Sequence, residues 1–465
     1  ENRSEDNAFV FYDGPPFITG VPHHGTLLSS IVKDAVPRYQ TMKGKRVERR
    51  WGWDTHGLPA ENFVEKKLGI TSRHEVGEKI SLAEYITTAR ESMVSNAALW
   101  ENTIDRIGRW VEFKNAYKTM DKDFMESVWW AFKTLYEKGK IYEGERVLMY
   151  DTAWATPLSK SEVTMDNDAY KTVTDPSVFV KFWLKDFEDA EGSKDKTAML
   201  AWTTTPWTLP ANEGISLNPH EIYVLTGENL IFAKPLLEII VAKGLSKGEI
   251  LREFKATELE NLYAINPLND RKSKFILGEH VLMDGGTGLV HTAPGHGEDD
   301  YYIGLKYGLE VTMPVDESGC YDETIMHKNL LRADVASEFV QMHIFKANER
   351  ILELLGDALI SSSKFTHSYP FCWRTHKPVI YRATKQWFIA MDEPKLNGKT
   401  LRQTALNALK SVKFYPASGI NRITSMIENR PDWCISRQRD WGVPIAFFRD
   451  KTTKEPIFDE EILAK

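Results

Sequence analysis

The chain has 465 residues, 42% of them hydrophobic and 27% charged, with a formal net charge of −7. That length holds roughly two to four domains with sizeable cores, and the acidic balance excludes a general basic coat for nucleic acid, leaving local Lys and Arg patches to meet phosphates. Cys320, Cys372 and Cys434 lie far apart with no CxxC pair, which fits a reducing cytoplasm and offers no zinc ribbon, and no apolar run reaches the roughly 18 residues of a membrane span.

Residue 1 is Glu, so the start of the sequence says nothing about targeting. Residues 8–12 read as a strand that is broken by Gly14, Pro15, Pro16, Gly20 and Pro22 before a helix opens near His23. The helix is expected over 26–42, interrupted by Pro37 and closed by Gly44, with a second strand at 46–51 completing a βαβ unit. A strand, a glycine-bearing loop and a helix N-terminus together expose N–H groups and a positive dipole end to a phosphate. The basic runs 43–50 and 430–439 are candidate RNA patches or simply solvated faces.

Ser81-Leu-Ala-Glu84 is a capping box that predicts a helix to about Trp100, and residues 124–138 predict another that stops at Gly139. From about Tyr150 the chain turns to short β-rich pieces at 177–183, 198–203 and 221–225, which reads as a second, inserted domain. The charged run 185–196 is expected to be a solvated loop, and 334–355 an amphipathic helix. Near Phe371 the sequence returns to motifs that belong with the first domain.

Three segments carry the chemistry: Phe11-Tyr-Asp-Gly-Pro-Pro-Phe-Ile-Thr-Gly-Val-Pro-His-His-Gly25, Gly52-Trp-Asp-Thr-His-Gly-Leu-Pro59 and Trp433-Cys-Ile-Ser-Arg-Gln-Arg-Asp-Trp-Gly-Val-Pro444. Singly, each has a plain structural alternative: a helix cap, a turn cap, or an Arg/Trp-stacked surface turn. Taken in order, they resemble the class I aminoacyl-tRNA synthetases over nearly the whole chain, and the isoleucyl family in particular. The resemblance implies an α/β protein, a Rossmann-type parallel-sheet catalytic domain split by an inserted β-rich editing domain. The corresponding spans are 1–151, 152–368 and 369–465.

On that resemblance the His-x-Gly-His signature falls on His23, His24, Gly25 and Thr26, with Thr in the last place. Gly25 lets the adenine approach, His23 donates to the ATP phosphates, and Thr26 offers one hydrogen bond without charge. Pro15 and Pro16 border the amino-acid pocket, Asp54 holds the α-ammonium with help from Gln438, and Trp387 and Trp441 flank an aliphatic side chain. Arg437 and Arg439 would face the adenylate or the tRNA end. The implied partners are isoleucine, ATP with Mg2+, and tRNA(Ile), with no structural metal and no membrane, in the cytoplasm.

The inserted domain has two motifs of its own. Trp202-Thr-Thr-Thr-Pro-Trp-Thr-Leu-Pro-Ala-Asn212 sets Thr203, Thr204, Thr205, Thr208 and Asn212 beside a Pro-terminated strand, where they could hold a water and a terminal ribose or merely form an edge strand. Gly286-Thr-Gly-Leu-Val-His-Thr-Ala-Pro-Gly-His-Gly-Glu-Asp-Asp-Tyr301 contributes Asp300, which resembles the anchor for a misattached amino group, and His291, which resembles the residue that keeps out the correct one. His291, His296, Asp299 and Asp300 could instead be ligands of a metal-dependent hydrolase acting alone. A non-catalytic RNA-binding relative would be expected to lack Asp54 or Gln438, and both are present.

The second family signature, Lys-Met-Ser-Lys-Ser, does not follow residue 444, and Leu158-Ser-Lys-Ser161 is only a look-alike. The expectation is therefore a fragment of a longer synthetase, itself inactive in amino-acid activation.

Overall fold

The computed structural model describes residues 3–70, 75–158, 163, 169–185, 197–373, 375–437, 439–445, 448–453, 456–457 and 461. The chain forms two compact units, one made of Glu1–Glu143 with Trp387–Lys465, the other of Gly144–Gln386. The partial look-alike at 158–161 lies largely outside the described residues.

In the first unit, extended segments run parallel: Ala8 bridges Arg46, Phe17 bridges Asp54, and the strand Arg50–Trp53 pairs with Glu112–Lys118. The strand expected at 8–12 pairs only near Ala8, because the next rung of the ladder is at Phe17, beyond the Gly14-Pro15-Pro16 loop. Gly52 is required by the neighbouring strand: a Cβ there would lie 2.2 Å from the Tyr117 ring. Trp51 and Trp53 meet edge to face at 5.3 Å and pack with Trp100, Tyr85 and Met93 to form the core.

The helix after the loop runs unbroken over His24–Met42 with Pro37 inside it, contrary to the expected interruption. Proline removes the donor that the Lys33 carbonyl, one turn earlier, would otherwise meet, yet the helix continues beyond it, and the Pro37 carbonyl accepts the Thr41 hydroxyl at 2.8 Å and the Arg49 guanidinium at 3.2 Å. Ser81 caps a helix at Glu84 N–H, 3.2 Å away, but that helix ends at Ser92 and a separate one spans Ala97–Arg106. The single helix expected at 124–138 is present as Lys122–Glu137, ending where Gly139 takes φ 65°.

The second unit is built on a ten-stranded sheet. Tyr170–Leu184 and Leu359–Pro370 form a long antiparallel ribbon, and Ala198–Thr203 pairs with Tyr170–Leu184 as well as with Leu289–Thr292. That extra pairing closes six strands into a barrel whose interior is filled by Val178, Val180, Phe182, Met199, Ile215, Phe275 and Leu289. The helix expected over 334–355 is two helices, Ala336–Phe339 and Ile344–Leu355. Gln341 in the left-handed region (φ 66°) breaks the run, and His343 caps the second helix.

Candidate active site

Two groupings of the sequence-derived residues form, one in each unit. In the first unit the Asp54 N–H donates to the Pro16 carbonyl at 2.9 Å, and the Ile18 N–H donates to the Asp54 carbonyl at 3.2 Å. The proline loop and the Asp54 segment are thus adjacent parallel strands, with Pro15 one residue further out. Asp54 is half-buried, and burial raises its carboxyl above the usual range, partly offset by the His56 N–H that its Oδ1 accepts at 3.2 Å. Beside it, burial lowers His56 to about 4, so that imidazole is neutral at pH 7.

Trp441 comes to the same place from far along the chain. Its indole Nε1 donates to the Thr55 carbonyl at 2.7 Å, its backbone N–H reaches Glu61 Oε1 at 3.4 Å, and its ring meets His56 edge-on at 5.5 Å. Glu61, one turn into the helix Leu58–Leu68, also pairs with Arg439 at 3.0 Å, both side chains being nearly buried. Arg439 is therefore spent on Glu61, and Arg437 on the Ser436 carbonyl at 2.7 Å. One turn further along, burial and the Glu61 charge push Glu65 up to about 8. The sequence reading missed Glu61; the signal available was a carboxylate one turn after the Asp54 motif, matched by the arginines of 433–444.

Trp387 belongs to a different cluster, with Ile141 and Ile389, and meets Phe132 edge-on at 6.0 Å. It is tied to the 433–441 segment through its backbone: the Trp387 N–H donates to Ser436 Oγ at 2.8 Å, and the Ile435 N–H to the Trp387 carbonyl at 2.9 Å. Gln438 lies outside the described residues.

His23 is the N-cap of the 24–42 helix. Its Nδ1 accepts the Gly25 N–H at 3.2 Å, leaving Nε2 as the exposed edge of the ring. The Thr26 hydroxyl accepts the His23 N–H at 2.9 Å and donates to the His23 carbonyl at 2.8 Å, so its one proton is used inside the cap.

The second grouping lies at one end of the barrel. Thr203 ends a strand, Pro206–Ala211 makes a short 3-10 turn, and Asn212 leads into Gly214–Leu217, which pairs antiparallel with Leu289–Thr292. The pairing His291↔Ile215 brings the imidazole between Thr208, 2.7 Å from Nε2, and Asn212, 2.9 Å from Nδ1. Thr203 Oγ1 accepts the Thr205 N–H at 3.0 Å and lies 3.2 Å from the Thr205 hydroxyl, while Thr204 is half-exposed beside them.

Asp300 stands in the first turn of the helix Glu298–Tyr307 and accepts the Ala293 N–H at 2.9 Å. Burial pushes its carboxyl up to about 7, against the pull of that N–H. Gly295, in the connecting turn, could not carry a side chain: a Cβ would sit 2.3 Å from the Thr312 carbonyl oxygen.

The metal-ligand alternative gains no support here. Both ring nitrogens of His291 are engaged by protein groups, and His296 packs its ring against Trp207 at 4.9 Å. Among the described residues, no group of three or more His, Cys, Asp or Glu is placed to hold a metal ion. No helix among the described residues is long and apolar enough to cross a membrane.

The first unit thus sets Asp54 beside the proline loop, and the second sets Thr208, Asn212, His291 and Asp300 in one region of its barrel. Over residues 1–465 the chain matches the tRNA synthetases class I (I, L, M and V), and it belongs to that family. It is 57% identical over 466 residues to the isoleucine–tRNA ligase of Campylobacter concisus (strain 13826), covering 99% of this chain and 50% of that one. It is 56% identical over 470 residues to the isoleucine–tRNA ligase of Campylobacter hominis, covering 100% and 49%. The chain spans about half the length of the curated relatives it matches. A solved LeuRS–tRNA–LeuAMS complex from Agrobacterium radiobacter K84 aligns at 18% identity and a TM-score of 0.35, covering 98% of this chain and 49% of that one.

Proposed function

We propose that this chain belongs to an isoleucine–tRNA ligase. In this reading a Rossmann-type catalytic domain spans 1–151 and 369–465 and is interrupted by an editing domain over 152–368. The observation that carries the reading is the convergence on Asp54: Pro16 hydrogen-bonded to its backbone on one side, and on the other Trp441, fastened by its indole to the carbonyl of the next residue, Thr55, and by its backbone N–H to Glu61. A half-buried carboxylate between a proline loop and an indole suits a zwitterion with an aliphatic side chain.

In the activation step the isoleucine carboxylate attacks the α-phosphorus of ATP and displaces pyrophosphate, and the aminoacyl group then passes to the 3′-terminal ribose of tRNA(Ile). Mg2+ arrives with ATP and neutralises phosphate charge. Asp54 holds the α-ammonium, with Gln438 assisting, and Pro15, Pro16, Trp387 and Trp441 shape the pocket. Gly25 keeps the helix start open to adenine, and His23 donates from Nε2 as charge builds on phosphate. Thr26 contributes by holding the His23 backbone. Positioning and preset dipoles supply the rate, since the protein forms no bond to the substrate in this scheme.

Discrimination against a substrate smaller by one methylene is limited to about 1–3 kcal/mol, a general figure for which isoleucine against valine is itself the standard case. A second, hydrolytic site removes the resulting errors. In the barrel unit Asp300 anchors the ammonium of a valyl ester, His291 closes the pocket against isoleucine, and Thr203, Thr204, Thr205, Thr208 and Asn212 line it. The protein acts in the cytoplasm.

ATP–pyrophosphate exchange with isoleucine, valine and leucine by the whole protein tests activation; release of labelled valine from pre-charged tRNA(Ile) by the 465-residue chain tests editing. Exchange with leucine as strong as with isoleucine would reject the substrate assignment. No valine release at any tRNA concentration would reject the second site.

A further inference from the structure

We infer that Ser273, Asn212, His291, Thr208 and the Thr205 carbonyl form a one-way hydrogen-bond relay that holds His291 neutral with its proton on Nε2, making it a positioning residue and not the base of the hydrolysis. The inference rests on the proposed editing reading only for its functional meaning; the relay itself is read from geometry.

Its direction is fixed independently from both ends. At one end the Asn212 amide nitrogen sits 2.7 Å from the Gly214 carbonyl, which can only accept, so this is the NH2 edge of the amide. The Asn212 oxygen, on the other edge, takes the Ser273 hydroxyl. With its NH2 edge 2.9 Å from His291 Nδ1, Asn212 donates, and Nδ1 must be the bare nitrogen. At the other end the Thr208 hydroxyl lies 2.8 Å from the Thr205 carbonyl, again an obligate acceptor, and gives it its single proton. The 2.7 Å contact between Thr208 and His291 Nε2 therefore needs Nε2–H as donor. The bonds at the two ring nitrogens, which share no partner, thus require the same tautomer, with Nδ1 bare and Nε2 protonated.

The members are almost wholly enclosed, Ser273 at 0%, Asn212 at 1%, Thr208 at 5% and His291 at 7% exposure, so no water can replace a lost partner cheaply. Protonating Nδ1 would set two N–H groups against each other. The imidazole then has no free lone pair to take a proton from water and no free proton to give the ribose oxygen. What it does is hold Thr208, and through it the 203–208 turn, at a fixed place in the pocket.

The test begins with the unmodified 465-residue chain. 15N-labelled histidine and long-range 1H–15N correlation identify the His291 tautomer directly, with His291→Asn used to assign the signal. The expected result is a bare Nδ1, a protonated Nε2 and no titration of this ring between pH 5.5 and 8. A proton on Nδ1, or a titration inside that range, overturns the relay whether or not the chain hydrolyses valyl-tRNA. Asn212→Asp replaces the donor by an acceptor that must be met by Nδ1–H; His291 should then titrate near or above neutral pH. The pH profile of valine release in that variant should acquire a transition that tracks the His291 signal. An Asn212→Asp protein whose ring stays neutral across the range also overturns it. If the relay stands and no valine is released, the editing reading fails alone.

Discussion

His23 and Thr26 close a reciprocal cap: the threonine oxygen accepts the His23 N–H at 2.9 Å and returns its proton to the His23 carbonyl at 2.8 Å. Thr26 thereby fixes the backbone from which the His23 imidazole projects. Thr26→Ser should keep the cap, whereas Thr26→Val should cost about 1 kcal/mol of stability, in the range of lost N-caps, read from denaturant melts. Thr26→His restores the family residue but cannot make both bonds, so exchange activity of the whole protein should not rise. A clear gain in kcat would show that a second imidazole, not the cap, is what this position needs.

Glu61 is the point at which 439–441 is fastened to the Asp54 segment. Glu61→Ala leaves Arg439 buried without its partner, a loss of about 3–5 kcal/mol for pairs of this kind, and frees the Trp441 backbone. Urea unfolding should show that loss, and amide exchange at 439–441 should accelerate. Glu61→Gln keeps an acceptor for the Trp441 N–H and should preserve more of the order in that segment than Ala does. Equal protection in the Ala variant and the unmodified protein would remove Glu61 from this role.

On the proposed editing reading, Asp300 sets the pH dependence of valine release. Only the ionised carboxylate can hold an ammonium, and burial places its titration near 7, so valine release should fall as pH drops through that value. The stability effect has the opposite sign. A carboxyl whose folded pKa lies above its ordinary 3.8 stabilises the fold when protonated, and that contribution is lost as pH rises toward and through about 7. Asp300→Asn should therefore raise the melting temperature more at pH 8 than at pH 5 while abolishing release. An unchanged difference between the two pH values would contradict the burial argument.

Gly295→Ala forces a methyl to within 2.3 Å of the Thr312 carbonyl oxygen, a contact that backbone alone can relieve. Overpacking of this kind costs about 1–3 kcal/mol. The loss should appear in melts of the chain, and valine release should weaken with it because the same turn sets Ala293 against Asp300. A fully stable Ala variant would mean that the turn moves freely.

The sequence by itself determined which residues could matter. The loop at Gly14, Pro15 and Pro16, the Asp54 motif, the threonine-rich turn and the 286–301 segment are local patterns, and local backbone chemistry is enough to mark them. It determined most elements as well, since the period of apolar residues and the turn-forming glycines act over a few neighbours: the helix before Gly139 and the strand at 198–203 are where they were expected. It erred where a distant partner decides. Pro37 sits inside a helix that runs on past it from His24 to Met42, and the 334–355 run splits at Gln341, whose left-handed φ no propensity announces. Only the tertiary structure put Glu61 between Arg439 and Trp441, residues 380 positions away by the Trp441 bond, and gave Asp300 its raised pKa and His291 its single tautomer. Burial and the direction of a hydrogen bond belong to all the groups that enclose an atom, and those groups are assembled from every part of the chain.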